Sequence, residues 1–143
     1  MGTRRYLVAR DPERADENLR RFRIDLIEGP LVLPESFPVP RDFSLARHAM
    51  LGFGSYHNAN EYMETIWRFS TEAAPHARDW RFHPEQAAIE LPDGRLEIRF
   101  FASGWLEMAW HLLQWGSHVE VLAPEGLRLL LEKVRRGGVG VFP

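Results

Sequence analysis

The sequence predicts an α+β fold, in which a β-hairpin precedes a ferredoxin-like βαββαβ unit with one further helix at its end. Three observations lead to this fold class. Residues 4–27 hold two runs in which branched or aromatic side chains alternate, as they do in strands. Residues 28–43 contain four prolines, which exclude a regular helix there. From residue 61 onward, strand and helix patterns follow one another in the βαββαβ order. We therefore expect two domains, 1–43 and 44–143.

The predicted hairpin consists of strands at residues 4–10 and 18–27, joined by the polar segment "DPERADE", whose Asp-Pro pair favours a turn. Alternate residues of a strand share a face, so Arg20 should lie beside three apolar side chains of its own strand. These are Phe22, Ile24 and Leu26. We expect this face to be buried, and Arg20 then needs an acidic partner or an anionic ligand. The residues alone leave both open, and Arg21 and Arg23 on the other face are expected to be solvated.

The ferredoxin-like unit follows from local signals. Residues 61–69 alternate as a strand, and residues 70–80 begin with a Ser-Thr pair that can cap a short helix. Two strands then flank the turn signal Asp93-Gly94. They span residues 84–91 and 96–102. The remaining elements are a helix from Ser103 to Gly116, a strand at residues 118–123 and a last helix from Pro124 to Gly137.

The helix from Ser103 to Gly116 has the clearest pattern, and Ser103 is expected to cap its first turn. A polar stripe and an apolar face lie on opposite sides of it at helical spacing. The stripe consists of Gly104, Glu107, His111 and Gln114, and the face consists of Trp105, Met108, Ala109, Leu112 and Trp115. Leu112 should therefore lie in the core, and His111 should contribute little to stability. Trp110 widens the apolar arc, which favours either core packing or a partner surface.

The composition offers little for catalysis, and we predict no enzyme, no cofactor and no metal site. The chain has no cysteine, and its six histidines form no His-x-His or His-Glu-x-x-His pair. The segment "GFGSYH" at residues 52–57 lacks the third glycine of a dinucleotide-binding loop and the Lys-Ser/Thr of a P-loop, so we expect a plain loop. No apolar run approaches the roughly 20 residues that span a bilayer. We expect a soluble, cytoplasmic protein without a membrane partner.

The charge of the chain is unevenly distributed. The net charge is -2, whereas residues 1–23 hold seven arginines against four acidic residues, a net charge of +3. Guanidinium groups bind phosphate through two parallel hydrogen bonds, so an arginine-rich hairpin favours an anionic ligand. A general bias of the composition towards arginine would produce the same pattern, and the sequence leaves both explanations open.

Several motifs resemble those of WYL domains, a family named for a Trp-Tyr-Leu tripeptide. In "RRYLVAR", Tyr6 and Leu7 match the last two letters, and Arg5 stands in place of the tryptophan. "LRRFRIDLI" is similar to the family's Arg-x-Phe-x-Leu-Asp-Arg-Ile pattern, with Leu26 in place of the second arginine. "ESFPVPRDF" resembles the segment that leaves the domain. "LPDGRLEIRF" and "HLLQWGSHVEVLAPEGLR" resemble the C-terminal extension that follows WYL domains in bacterial transcriptional regulators, so the resemblance covers nearly the whole chain.

The resemblance implies both a fold and a function. Residues 1–43 would be the last part of a small Sm-like or SH3-like barrel, without the earlier strands and the winged helix-turn-helix of such regulators. WYL domains are regarded as effector sensors whose basic pocket binds a nucleotide or a single-stranded nucleic acid. The match carries two ligand-binding residues over to this chain, Tyr6 for a base and Arg20 for a phosphate.

An alternative function is a non-catalytic dimerisation module that has no ligand of its own. A lone two-stranded hairpin is marginal in water, and pairing with the same segment of a second copy would cover both its edges and its apolar face. We therefore expect a homodimer with residues 4–27 at or near the interface.

Overall fold

The computed structural model describes residues 5–15, 18–54 and 57–138. The chain divides into two compact units, which meet in sequence between Phe43 and Ser44 and are called unit 1 and unit 2 below. Residues 27–43 form neither helix nor strand, which confirms the prediction of a proline-rich irregular segment. None of the described helices is long and apolar enough to cross a membrane.

Unit 1 contains an antiparallel hairpin of β1 (Tyr6–Arg10) and β2 (Leu19–Arg23). The hairpin prediction is confirmed, but the second strand is shorter than expected. Its last rung is the hydrogen bond that the Ile24 N–H donates to the Arg5 carbonyl, at 3.1 Å. A short 3-10 turn, Ile24–Leu26, follows β2, and the Ile27 N–H donates to the Ile24 carbonyl at 3.2 Å.

The expected burial of the Arg20 face is wrong. Phe22, Ile24 and Leu26 are exposed, the last by 66%. Arg21 and Arg23, which were expected to be solvated, are half-buried. The alternation of side chains along a strand shows which of them share a face. Whether that face is buried depends on residues that are distant in sequence.

Unit 2 contains a four-stranded antiparallel sheet with the order β4-β5-β3-β6. The outer strands β4 (Ala87–Glu90) and β6 (Val119–Ala123) flank the central strands β5 (Leu96–Ala102) and β3 (Met63–Phe69). Since β3 pairs with both β5 and β6, the two halves of the unit interleave, which is the split arrangement of ferredoxin-like folds. The predicted ferredoxin-like fold is confirmed.

The predicted helices of unit 2 are present with shorter bounds. They are α2 (Ala74–Asp79), α3 (Trp105–Leu113) and α4 (Glu125–Arg135). A further helix, α1 (Leu45–Met50), was not predicted, and the Ser44 hydroxyl caps it by accepting from the Arg47 N–H at 3.3 Å. The predicted turn at Gly94 is a positive-φ position, at +84°, which glycine adopts without strain.

One face of the sheet carries the core. Buried and more exposed side chains alternate along β3, so that Thr65, Trp67 and Phe69 lie beneath the helices while Ile66 and Arg68 face away. The apolar core residues from strands and helices include Trp67, Phe69, Leu96, Ile98, Met108, Leu112, Leu127 and Leu131. Leu112 is fully buried, as its place on the apolar face of α3 predicts. The opposite face of the sheet, on which Ile66 and Arg68 lie, is called the open sheet face below.

Candidate functional site

The hairpin does not bring Tyr6 and Arg20 together. Residues that are directly opposite in an antiparallel pair share a face, and Tyr6 lies opposite Arg23 while Arg21 lies opposite Val8. Arg20 lies opposite Ala9, on the other face of the hairpin. Tyr6 therefore shares its face with Arg21 and Arg23, the two arginines that the sequence argument had set aside.

The Tyr6 face also contains an ion pair with two hydrogen bonds, between Arg23 and Asp25. Arg23 donates from Nε to Asp25 at 3.1 Å and from a terminal nitrogen to the other carboxylate oxygen at 2.5 Å. This hydrogen-bonded pairing raises the pKa of Arg23 above its usual value, and the pair lies at the surface, so it adds little to stability. Asp25 thus pairs with Arg23, and Glu17, another acidic residue close to Arg20 in sequence, lies outside the described residues.

The Arg20 face is more apolar. Leu7 and Phe22 are opposite each other on it and are 48% and 36% exposed, while Arg20 itself is half-buried. The face therefore presents one guanidinium group next to an aliphatic and an aromatic side chain.

Ser103 does not cap α3, which corrects the sequence prediction. The N-cap is Gly104 at φ +95°, and the Ser103 hydroxyl donates instead to the Leu51 carbonyl at 3.0 Å. The Ser103 backbone N–H donates to the same carbonyl, at 2.9 Å, and the Ser103 carbonyl accepts from the Phe53 N–H at 2.8 Å. Ser103 thus fixes the segment around residues 51–53 to the end of β5.

Glu61 supplies the cap that Ser103 does not. Its Oε2 accepts from the backbone N–H groups of Gly104 and Trp105, at 3.1 and 3.0 Å. Its own backbone carbonyl accepts from the Trp105 indole at 3.1 Å. A carboxylate at this place satisfies two helix donors and complements the positive end of the helix dipole. The spacing of residues around α3 did not indicate this cap, because Glu61 lies more than 40 residues upstream of the helix.

A histidine also lies beside Ser103, with His57 Nδ1 at 2.6 Å from the hydroxyl oxygen. The same hydroxyl contacts the Leu51 carbonyl and accepts from the Asn58 backbone N–H at 3.4 Å, so its hydrogen bonds connect Leu51, His57 and Asn58 to the end of β5. "GFGSYH" contributes Gly52, which bridges to Ser103, whereas Ser55 and Tyr56 lie outside the described residues.

His111 does not lie on a polar stripe, which is a second correction for α3. Four aromatic rings surround it at centroid distances between 5.5 and 6.4 Å. They belong to Phe53, Trp67, Trp80 and Phe82. Burial lowers the pKa of His111, and its Nε2 is buried without a hydrogen-bond partner among the described residues. Helical spacing placed His111 on the same side of α3 as Glu107. In the fold, the rings of Phe53, Trp80 and Phe82, which come from segments outside the helix, surround it.

The open sheet face carries a charge network that the sequence analysis missed. Glu97 is almost fully covered, and its two oxygens accept at 2.7 Å from Arg68 and from Arg99 respectively. The hydrogen bonds from Arg99 and Arg68 hold the pKa of this carboxyl below its usual range, against the opposite effect of burial. Arg68 lies directly opposite Glu97 in the register, so strand pairing itself sets the contact.

The described ranges contain no group of three or more histidine or acidic side chains that could hold a metal ion. Taken together, the geometry defines a ferredoxin-like α+β domain that follows an arginine-rich hairpin. A model of the WCX domain, the extension at the C-terminal end of WYL proteins, matches residues 64–136. That match spans more than half of the chain, and the chain belongs to the WCX domain family. The resemblance to the WYL extension is thereby confirmed, and the match supports a regulatory protein of the WYL group.

Among solved structures, proteasome accessory factor B/C (PafBC) of Arthrobacter aurescens is similar over 88% of this chain, at 21% identity and a TM-score of 0.38. This chain spans only 19% of the length of that structure. A TM-score this low adds nothing to the fold argument. No curated protein sequence matches the chain.

Proposed function

We propose that this chain is the effector-sensing and dimerising region of a bacterial WYL-type transcriptional regulator, and that its hairpin binds a nucleotide or a single-stranded nucleic acid. The observation that carries the proposal is the composition of β1 and β2, which hold four arginines and two aromatic rings in ten residues. Guanidinium groups bind phosphates and aromatic rings stack on bases, so this composition suits a nucleic acid.

Tyr6 and Arg20 are the two contacts that the family resemblance proposes. They lie on opposite faces of the hairpin, so the proposed function does not depend on both touching one ligand.

The test is a titration of the full chain into a labelled single-stranded oligo(dT) of about 12 nucleotides, at about 50 and 200 mM salt. We expect saturable binding that weakens as the salt rises. The double variant Tyr6→Ala/Arg20→Ala should bind less tightly, and Arg41→Ala, an exposed arginine of unit 1 outside the hairpin, should bind like the parent chain. A chain that does not bind at tens of micromolar would refute ligand sensing.

Dimerisation is the second part of the proposal, and it would remain if the ligand part failed. The apolar residues Leu7, Phe22 and Ile24 of unit 1 are exposed, and two strands alone are marginal in water. A second copy of the hairpin could cover them. Light scattering after size exclusion should report a dimer for the full chain and a monomer for a shortened chain that starts at about residue 44. Equal dimerisation of the shortened chain would exclude the hairpin as the interface.

A further inference from the structure

We infer that the proline-rich segment at residues 28–43, called the connector below, adds as an extra strand to the free edge of β4 in a second copy of this chain. Two copies exchange their connectors reciprocally. The inference rests on the dimerisation part of the proposed function and deepens it, because it adds a second pair of contacts to those of the hairpin.

The prolines of the connector leave only one of its edges able to pair. In an extended chain, successive residues direct their backbone N–H and C=O groups to opposite edges. All four prolines have even numbers, and they are Pro30, Pro34, Pro38 and Pro40. Proline has no N–H, so they block the even-numbered edge, whereas the odd-numbered edge keeps every N–H from Leu31 to Val39. A strand of this kind pairs on one side and remains at the rim of a sheet.

A single copy of the chain leaves this edge unused. Within the described residues, the backbone groups at the odd-numbered positions from 31 to 39 make no hydrogen bond. The large apolar side chains of the same stretch are also exposed, and Leu31 is exposed by 85%. They are Leu31, Val32, Leu33, Phe37 and Val39. A soluble protein rarely exposes so many neighbouring apolar side chains without a partner, which favours a second copy as the partner of the connector.

The outer strand β4 offers an edge with matching backbone groups. The Leu91 N–H donates to the Arg95 carbonyl at 2.8 Å, and hydrogen-bonded positions alternate along an antiparallel pair. The odd-numbered residues of β4 therefore bond to β5, whereas Ala88 and Glu90 direct their backbone N–H and C=O groups to the free edge. The backbone groups of these two residues have no partner on that edge within the described ranges, and all of β4 is exposed.

The other outer strand, β6, is less open. The Ser70 N–H donates to the His118 carbonyl at 2.9 Å, so Val119 directs its own carbonyl away from β3. The Arg135 side chain donates to that carbonyl at 3.2 Å. A side chain that occupies an edge carbonyl hinders the addition of a further strand. The edge of β4 has no such cover among the described residues, and the small side chain of Ala88 lets another backbone approach.

The spacing of the two edges agrees. Leu31 and Leu33 are two residues apart, as are Ala88 and Glu90, so both pairs can form at once. Pro92 is the next residue of the β4 edge with an outward backbone and has no N–H, which limits the pairing to this short stretch. Such strand addition takes its affinity from main-chain hydrogen bonds. Each copy has one connector and one β4 edge, so the exchange closes at two copies.

The experiment measures the dimer dissociation constant of the full chain by sedimentation equilibrium. Leu33→Pro removes an N–H from the odd-numbered edge of the connector, whereas Val32→Pro removes one from the edge that prolines already block. Both positions lie in a segment without helix or strand, so neither change should disturb the two units. We expect Leu33→Pro to raise the dissociation constant roughly tenfold or more, because the exchange occurs twice in the dimer. Val32→Pro should raise it less than about threefold.

Ala88→Pro tests the acceptor edge. The Ala88 N–H points away from β5, so proline at this position keeps the pairing within the sheet, and far-UV circular dichroism checks the fold. We expect Ala88→Pro to raise the dissociation constant as much as Leu33→Pro does. Because the two residues belong to one contact, the double variant should have a dissociation constant close to that of either single variant.

Each other outcome has a distinct meaning. Equal dissociation constants for Leu33→Pro and Val32→Pro would overturn the exchange, while a dimer formed by the hairpin would remain. A loss in Leu33→Pro without a loss in Ala88→Pro would overturn β4 as the acceptor edge. A monomeric parent chain would refute the dimerisation and the inference with it, whereas the oligo(dT) titration would still test the ligand part of the proposed function.

Discussion

Replacing Glu61 with alanine should destabilise unit 2 by about 1–3 kcal/mol. The Oε2 atom accepts two backbone N–H groups at the start of α3, and Oε1 accepts from the Asn58 side chain at 3.2 Å. Losing a helix cap costs about 0.5–2 kcal/mol, and losing a negative charge at this end of the helix costs about 0.3–1 kcal/mol more. For a domain of this size, such a loss lowers the melting temperature by roughly 4–20 °C.

The assay for Glu61→Ala is thermal unfolding followed by far-UV circular dichroism. Glu85→Ala is the matched control, because Glu85 is an exposed carboxylate in the loop before β4 and its loss should stay within about 0.5 kcal/mol. Glu61→Gln keeps a hydrogen-bond acceptor but not the charge, so its melting temperature should lie between those of the two alanine variants. If Glu61→Ala and Glu85→Ala have the same melting temperature, the Glu61 cap does not stabilise the helix and the reasoning is refuted.

Three further predictions concern the core of unit 2. Leu112→Ala should cost about 2–5 kcal/mol in urea denaturation, since the side chain is fully buried, and a cost under 1 kcal/mol would contradict the packing. Gly126→Ala should cost about 1–3 kcal/mol, because the added methyl group meets the Trp105 ring, and Trp105→Leu should recover part of that loss. His111 has its pKa lowered from 6.5 by burial, so the unfolded chain takes up a proton first and stability should fall as the pH drops below 6.5. Urea midpoints at about pH 5.5 and 7.5 should differ less in His111→Phe than in the parent chain.

The fold of unit 2 could be predicted because its signals are local. The turn at Gly94, the alternation in β3 and the periodic leucines of α4 each depend on a few adjacent residues, and a single order of elements fits them. Local rules failed for α3. Ser103 has the right position for a cap, yet the carboxylate that caps the helix comes from Glu61, just before β3 and more than 40 residues upstream of the helix. The spacing of residues along the sequence does not show which distant residue will lie at the end of a helix.

The candidate site was predicted only in part for a related reason. Alternation correctly placed Arg20 on one face of β2 and Arg21 and Arg23 on the other. It could not show on which of these two faces the Tyr6 ring of β1 would lie. That depends on the register of β1 against β2, which places Tyr6 opposite Arg23 and not beside Arg20. The same limit explains His111, whose aromatic neighbours come from segments that helical periodicity does not include.

The charge balance favours the hairpin over the open sheet face of unit 2 as the surface for the nucleic acid that we propose. That face carries Arg68 and Arg99, but both bind Glu97, and Glu64 and Glu120 lie on the same face. Since both arginines are paired with Glu97 and two further carboxylates lie beside them, this face offers little attraction for a polyanion at moderate salt. Arg99→Ala should therefore leave oligo(dT) affinity and its salt dependence unchanged, even if it lowers the stability of unit 2. A tenfold loss of affinity in this variant, with the fold intact by circular dichroism, would move the nucleic-acid surface to the sheet and refute its assignment to the hairpin.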